Sequence, residues 1–206
     1  MPNHVDHKLT VVGSAEDVAA FVATARGAAP CTGDVDTGGP FTNATRRLRI
    51  EPLNFHLIAP LPDSFSERPY GNDGSHGYHL QRQYWGGKWG PYNDTKDATL
   101  SHDGTRATYE FRHAWGLPKE AFRRASLRYG LLRFYVSYGG EGPCRGRGRF
   151  VKGRADVVDD PYDASEYPTE ADHDADEEAA SNRYDAVVNQ RLAQHDTWVD
   201  ESEAAL

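Results

Sequence analysis

Residues 7–27 read HKLTVVGSAEDVAAFVATARG and contain the clearest secondary-structure pattern in the chain. Apolar and polar side chains alternate at its start, with Leu9 and Val11 on one side, which is typical of a half-buried β-strand. Ser14 follows, and its hydroxyl is placed to accept a hydrogen bond from the first turn of a helix. Beyond it, apolar residues recur at helical spacing as far as Gly27, namely Val18, Phe21, Val22 and Ala25. The segment therefore predicts a strand followed directly by a helix.

The rest of the body predicts more strands and a second main helix. A short helix is expected over Tyr78–Trp85 and a longer one from Pro118 to Gly130, because proline suits a first helical turn. Alternating or β-rich segments predict strands at Arg46–Ile50, Phe55–Ala59, Asp97–Leu100, Arg106–Arg112, Leu132–Tyr138 and Arg147–Lys152. Helices that must cover apolar strand faces, and that are separated by a hairpin, indicate an α+β two-layer sandwich with an insertion. We expect an antiparallel or mixed sheet with the two main helices on one face.

Charge divides the chain into two parts. Residues 155–206 hold 16 aspartates and glutamates against two arginines, a net charge of −14, whereas the whole chain carries −8, which leaves +6 on residues 1–154. We therefore predict a basic domain over 1–154 and an acidic, partly flexible extension over 155–206. Apolar side chains at helical spacing predict a short helix near residues 181–199 of the extension. A helix of this length is marginal in water, so it needs a surface on the body or on a partner.

Several classes of protein are not indicated by the sequence. No apolar run is long enough to span a bilayer and no signal-peptide pattern opens the chain, which predicts a cytoplasmic protein without membrane contact. Cys31 and Cys144 are too few to hold an iron–sulfur cluster. His4 and His7 lie three positions apart on a strand and face opposite sides, so they do not predict a metal site. Because no phosphate loop or nucleophile elbow is present, we predict no cofactor and no catalytic residue.

A candidate binding site lies at residues 145–149, which read RGRGR. In an extended strand, Arg145, Arg147 and Arg149 project from one face about 7 Å apart, comparable to the phosphate spacing of a nucleic-acid strand. Lys152 adds a fourth cation, and the glycines permit a close approach of the backbone. The same run is also typical of a solvated basic edge strand, of a dock for the acidic extension, or of a contact with a protein partner.

A second candidate lies at residues 85–90, which read WGGKWG. Trp85 and Trp89 flank a glycine turn that carries Lys88, and Trp115 follows later in the chain. Large rings beside an ammonium group could form a recognition pocket with a handle for a cation or a phosphate. Alternatively, the tryptophans cap the open end of the core and the glycines only allow the chain to turn.

Several separated motifs occur in a recognisable order. They are MPNH at 1–4, LTVVG at 9–13, NFHLIAPLP at 54–62, YWGGKW at 84–89 and FRHAW at 111–115. Together they resemble the YubB-like ferredoxin-fold family, which plasmids and phages encode and which is described as a domain of unknown function. The resemblance covers roughly residues 1–153. It implies a ferredoxin-like sandwich without a cluster and implies no activity; the Arg-Gly strand and the acidic extension depart from the family pattern.

These observations favour a small accessory binding protein of phage or plasmid type. It would contact a protein or a nucleic acid without catalysis, and the extension would tune or block the contact surface. One alternative is a nucleic-acid-processing enzyme, which requires His4, His7, His56 or His113 to meet a carboxylate such as Glu110 in one pocket. Another is an inhibitor whose acidic extension imitates DNA and occupies a host nucleic-acid-binding protein. A further alternative is a homodimer in which the C-terminal helix docks on a second copy.

Overall fold

A computed structural model of the chain describes residues 4–28, 50–62, 75–87, 89–91, 95–140, 144–160, 165 and 169–205, except for the side chains of 75–78 and 173. The described strands are β1 (His4–Val12), β2 (Thr99–Leu100), β3 (Arg106–Ala114), β4 (Arg133–Gly140), β5 (Gly146–Val151) and β6 (Arg154–Asp159). The described helices are α1 (Ala15–Ala25), α2 (Phe55–Ile58), α3 (Ser75–Trp85), α4 (Lys119–Arg128), α5 (Glu170–Ala175), α6 (Glu177–Ala193) and α7 (His195–Ala204).

The described strands form one antiparallel sheet in the order β2-β3-β1-β4-β5-β6. Strand β1 is central and pairs along nearly its whole length with β3 on one side and β4 on the other. Because side chains alternate along a strand, Leu9 and Val11 point to one face of the sheet, and Lys8 and Thr10 point to the other. We call these the inner face and the outer face.

The main core lies on the inner face, beneath α1, α2, α3 and α4. The Ser14 hydroxyl accepts from the Asp17 amide at 3.1 Å and begins α1, as the sequence predicts. Phe21 of α1 contacts the rings of Tyr109, Tyr129 and Phe134 edge-to-face, with centroids 5.2–6.3 Å apart. These aromatic contacts pack α1 against the sheet and against the end of α4.

The prediction of a strand at Phe55–Ala59 is wrong. The Asn54 side chain accepts from the His56 amide at 2.9 Å, and the Ala59 amide donates to the Phe55 carbonyl at 2.7 Å, so the segment closes into the single turn of α2. The N-terminal part of the other predicted strand, residues 46–49, lies outside the described residues, and Ile50 is not in a strand. Most of the predicted loop at 28–45 also lies outside them.

The acidic extension contributes to both the sheet and a further layer of helices. Strand β6 spans the predicted boundary at residue 155 and adds an outer strand next to β5. Beyond it, α6 and α7 occupy the region where a short helix is predicted, and they contact β1 and β4 from the outer face. The predicted α+β fold with an antiparallel sheet is confirmed. The predicted two-layer arrangement is not, because α6 and α7 add a layer of helices on the outer face. Among the described residues, no helix is long and apolar enough to cross a membrane.

Candidate functional site

The outer face of the sheet is rich in cations. Strand alternation directs basic side chains from neighbouring strands toward this face, together with the hydroxyls of Thr10 and Ser137 and the ring of Tyr135. Ion pairs and ring contacts with the C-terminal helices, or with β6, place the cations Lys8, Arg106, Arg112, Arg133, Arg147 and Arg149 here. Most apolar side chains of these strands point to the inner core, so the outer face is mainly polar, apart from the small cluster around Val12 and Tyr135.

Helix α7 lies on the outer face and places acidic residues against its cations. The Asp196 carboxylate is 2.9 Å from the ammonium of Lys8. One turn later Asp200 pairs with Arg106 of β3. Glu203 follows after three more residues and accepts from Nε of Arg133 at 2.8 Å, and it also accepts from the hydroxyl of Tyr135. The acidic residues stand at i, i+4 and i+7 on one side of the helix, so they match cations from three adjacent strands.

His195 anchors the start of α7 by polar contacts in the interior. One ring nitrogen lies 2.9 Å from the hydroxyl of Thr10 and the other 2.7 Å from that of Ser137, so the neutral ring donates one hydrogen bond and accepts the other. Burial lowers the pKa of His195 to about 4, and the nearby ammonium of Lys8 acts in the same direction, whereas Asp196 opposes it. His195 is therefore neutral when α7 is docked at neutral pH.

The apolar contacts beneath α7 are small. The ring of Trp198 meets that of Tyr135 edge-on at 5.5 Å, and Val199 is buried against the same cluster, which includes Val12. Arg147 lies over the Trp198 ring at 5.5 Å. Since each partly exposed ion pair contributes only about 0.2–1 kcal/mol, we expect the docking of α7 to be worth a few kcal/mol and to be reversible.

The arginines of the predicted RGRGR site do not form one continuous row. Arg147 and Arg149 project from β5 on the outer face, and Arg149 pairs with Asp156 of β6 at 2.9 Å. Arg145 precedes the strand and is only 2% exposed. Lys152 is exposed in the turn between β5 and β6, with a backbone φ of +49°. The structure thus places Arg147 and Arg149 on the outer face and buries Arg145, which lines a cleft of about 500 Å³ together with Arg147 and Trp198.

The tryptophans of the second predicted site have different environments. Trp85 is a core residue whose indole N–H donates to the Ala59 carbonyl at 2.8 Å. Trp89 is half-buried, and its carbonyl lies 3.1 Å from Nε2 of His113. Trp115, in contrast, is 52% exposed and has a φ of +73°, which is unusual for a residue with a side chain. Lys88 lies outside the described residues.

Two of the histidines proposed for an enzyme site come together inside the core. The rings of His7 and His113 are 5.9 Å apart, and His7 is stacked at 4.9 Å on Phe111. Burial lowers the pKa of His7 to about 3, assisted by His113, and lowers the pKa of His113 to about 4. Glu110 is instead exposed and bonded to Lys96 at 2.7 Å. In the part of the chain that the structure describes, no group of ionisable side chains has a metal-binding arrangement.

A cleft of about 1000 Å³ opens where the cationic face reaches the turn between β5 and β6. We call it the hairpin cleft; its lining includes Leu131, Arg133, Arg149, Lys152, Arg154 and Asp156. A smaller cleft of about 500 Å³ lies between α6 and the strands β1 and β3, where cations and carboxylates alternate. The hairpin cleft is therefore the more strongly cationic of these two openings.

Sequence reasoning missed the residues that join α7 to the sheet. The acidic spacing of Asp196, Asp200 and Glu203 is readable along the helix, and it could have indicated a cationic partner surface. Their partners carry no such local signal, because Lys8, Arg106 and Arg133 are far apart in the chain and meet only through strand pairing.

Comparison with known proteins supports the fold and gives no function for this site. No family model matches the chain, and no curated protein matches it. The fold is similar to the crystal structure of a protein api92 from Yersinia pseudotuberculosis, described with the family model DUF1281. That likeness has a TM-score of 0.52 and 9% sequence identity, and it covers 80% of this chain and 99% of the other. At this identity the likeness shows the fold alone.

Proposed function

We propose that this protein is a small accessory module that binds single-stranded nucleic acid on the outer face of its sheet, without catalysis. While α7 is docked, its acidic side chains occupy the cations of that face in place of the ligand. The proposal assigns the contact to the cationic face rather than to the tryptophan region. It also gives the acidic extension a role, since ligand and helix compete for the same side chains.

The observation that carries the proposal is the matched row of ion pairs beneath α7. Lys8, Arg106 and Arg133 come from neighbouring strands, and each of them meets an acidic side chain of the same helix. Carboxylate and phosphate are both oxyanions that accept from ammonium and guanidinium groups. A surface that holds a row of carboxylates is therefore suited to hold a row of phosphates.

An aromatic ring on the same face supports a single-stranded ligand. Tyr135 is completely buried beneath Trp198 and Glu203 while α7 is docked. Release of the helix would expose its ring beside Arg133 and Arg149, and bases of any sequence can stack on such a ring. Cations that follow the backbone and a ring for a base are the usual elements of a single-strand-binding surface.

We also infer that the body has the ferredoxin-like topology that the sequence resemblance implies. What supports this is the chain order β1-α1-β2-β3-α4-β4 together with the sheet order β2-β3-β1-β4, which form a β-α-β-β-α-β unit. Some RNA-recognition modules of this shape bind RNA on the open sheet face, an analogy that agrees with the proposed site. A phage or plasmid origin and a cytoplasmic location remain predictions from the sequence.

The alternatives are less favoured by the arrangement of the described residues. An enzyme would need an imidazole that a substrate can reach beside a carboxylate. His7 and Glu110 do line the same cleft next to α6, but His7 is only 1% exposed, and Glu110 is bonded to Lys96. A DNA-mimicking extension would lack the three acidic side chains that α7 directs toward its own body, and would have to rely on exposed ones such as Asp174 and Glu178. A homodimer through the C-terminal helix would use the surface of α7 that is docked within the chain.

A charge-neutral tail tests the proposal in the full-length protein. We define the tail-neutral variant as Asp196→Asn, Asp200→Asn and Glu203→Gln, which keeps the shape of α7. Loss of three weak ion pairs should make displacement of the helix easier by about 1.5 kcal/mol, so affinity for a labelled oligothymidine should rise about tenfold. Fluorescence anisotropy at about 50 mM salt measures this change.

A matched control separates local competition from total charge. Asp174→Asn, Glu178→Gln and Glu201→Gln remove the same charge from exposed positions of the extension and should change the affinity less than about twofold. Equal gains in the two variants would show that only net charge matters. No binding by either variant would remove nucleic acid as the ligand.

A further inference from the structure

We propose that the hairpin cleft is the site where the nucleic-acid backbone first binds, before α7 leaves the outer face; this inference rests on the proposed function. The cleft lies between the α4–β4 connection and the turn of the β5–β6 hairpin. It extends the cationic face past the end of α7, so it is a part of that face that the helix leaves open.

The balance of charge favours an anion in the cleft. Arg133 and Arg149 are already paired, with Glu203 and Asp156 respectively. Lys152 and Arg154 are exposed and have no ion pair among the described residues. Within the described part of the chain these two cations therefore have no ion-pair partner, and a phosphodiester would supply an oxyanion for them.

The hairpin turn holds Lys152 in a fixed position at the edge of the cleft. Lys152 has a φ of +49° and Gly153 a φ of +79°, the pair of positive angles that a tight two-residue hairpin turn needs. Ser126 accepts from the Gly153 amide at 3.0 Å and ties the turn to α4. The backbone that carries the Lys152 ammonium is therefore already ordered. Binding of a ligand does not have to pay the conformational entropy of ordering this turn.

Arg133 lies both in the hairpin cleft and at the edge of the outer face that α7 covers. Its guanidinium lines the cleft and also binds Glu203, which lies in the last turn of α7. A phosphate bound at Lys152 and Arg154 is next to this pair and competes with Glu203 for Arg133. Because helix ends open more easily than helix centres, the exchange would release α7 from its C-terminal end. The cleft therefore acts as the first contact, and the outer face binds the rest of the strand.

A double substitution in the full chain tests this order. Lys152→Asn with Arg154→Gln removes the unpaired cations, and asparagine tolerates the positive φ at position 152. We expect the association rate constant for oligothymidine, measured by stopped-flow anisotropy at low salt, to fall about tenfold, and the dissociation rate to change much less. The control Arg82→Gln with Lys119→Gln removes the same charge from exposed positions outside the cleft and should change the rate less than about twofold.

The outcomes distinguish the cleft from the proposed function. In the tail-neutral background the cleft substitutions should slow association only about threefold, because the covered face is then easier to reach. An unchanged association rate in the wild-type background, while the tail-neutral variant still binds tightly, would overturn the cleft and leave the proposed function standing. No oligothymidine binding in any background would overturn both. Full competition by inorganic phosphate, or tighter binding to phosphatidylglycerol vesicles than to oligothymidine, would also overturn the cleft as a nucleic-acid site.

Discussion

At the scale of single residues, buried histidines serve two different layers of the molecule. His7 and His113 lie in the main core, where aromatic rings surround them. His195 lies on the opposite face and connects α7 to hydroxyls of β1 and β4. Burial lowers the pKa of all three rings, so each is neutral at neutral pH. Acidification therefore affects both the core and the docking of α7, and the two effects need to be separated.

We predict that α7 undocks as the pH falls, through protonation of His195. The docked ring has a pKa of about 4 against an ordinary value of 6.5, so docking favours the neutral form. The contribution of His195 to the free energy of docking is complete above about pH 6.5 and is lost as the pH falls toward 4. Near pH 5 the loss is about 2 kcal/mol, which lowers the docked-to-open ratio about 30-fold. The charged groups that act on the ring are Lys8 of β1 and Asp196 of α7. The indole N–H resonance of Trp198 can follow this opening by NMR.

His195→Gln is the matching control. It loses part of the hydrogen bonding to Thr10 and Ser137, so its helix should dock less firmly at neutral pH, but the position of its Trp198 signal should change little with pH. Titration of His7 and His113 remains in both proteins and cancels in the comparison. If the two proteins open in parallel on acidification, His195 is not the titrating group.

At the scale of elements, the glycines of β5 have a structural role that the sequence did not indicate. Their predicted role was a close approach of the backbone to a ligand. A Cβ atom at Gly146 would instead lie 2.3 Å from the Val158 carbonyl, and one at Gly148 would lie 3.0 Å from the ring of Phe150. The glycines are thus needed for the pairing of β5 with β6 and for the core, whereas Arg147 and Arg149, which alternate with them, lie on the outer face.

We predict opposite sensitivities for neighbouring positions of this strand. Gly146→Ala should lower the free energy of unfolding by about 2 kcal/mol, because the new methyl group overlaps a backbone oxygen. Arg147→Ala should change it by no more than about 0.5 kcal/mol, since the side chain is exposed. Urea denaturation followed by circular dichroism measures both values. A stable Gly146→Ala protein would mean that β6 does not pair with β5 as described.

Local patterns explain which elements the sequence could predict. The strand and helix of residues 7–27 were predictable because their signals all lie within that segment. These are the apolar periodicity of each element, the N-cap Ser14 and the glycine that follows the helix. Phe55–Ala59 was not predictable, since its composition favours a strand and only the side chain of Asn54 turns it into α2. Of the cations on the outer face, Arg147 and Arg149 could be proposed from the sequence, whereas Lys8, Arg106 and Arg133 meet only through the pairing of distant strands. That information is tertiary and is not contained in any single segment.

At the scale of the whole molecule, the charge division becomes a contact within one chain. The basic body and the acidic extension meet beneath α7, where each ion pair is weak by itself. Because the helix is tethered to the sheet that it covers, its effective concentration is high, and weak pairs suffice to hold it. The nucleic acid that we propose as ligand would have to displace this tethered anion, so the extension would set the affinity threshold for that binding.

Such competition predicts a particular response to salt. Salt weakens binding of a polyanion because the counterions that binding releases gain less entropy in a more concentrated salt solution. The slope is about −0.7 per phosphate contacted on a single strand. In the wild-type protein salt also weakens the ion pairs between α7 and the cations of the sheet, which favours opening and opposes the first effect. The tail-neutral variant lacks those pairs, so its plot of log affinity against log salt should be steeper than the wild-type plot by about one unit.

Anisotropy titrations with oligothymidine from about 50 to 300 mM salt measure both slopes, and the exposed-position variant with Asp174, Glu178 and Glu201 neutralised should keep the wild-type slope. Equal slopes in the wild-type and tail-neutral proteins would mean that the ligand binds away from the cations that α7 covers.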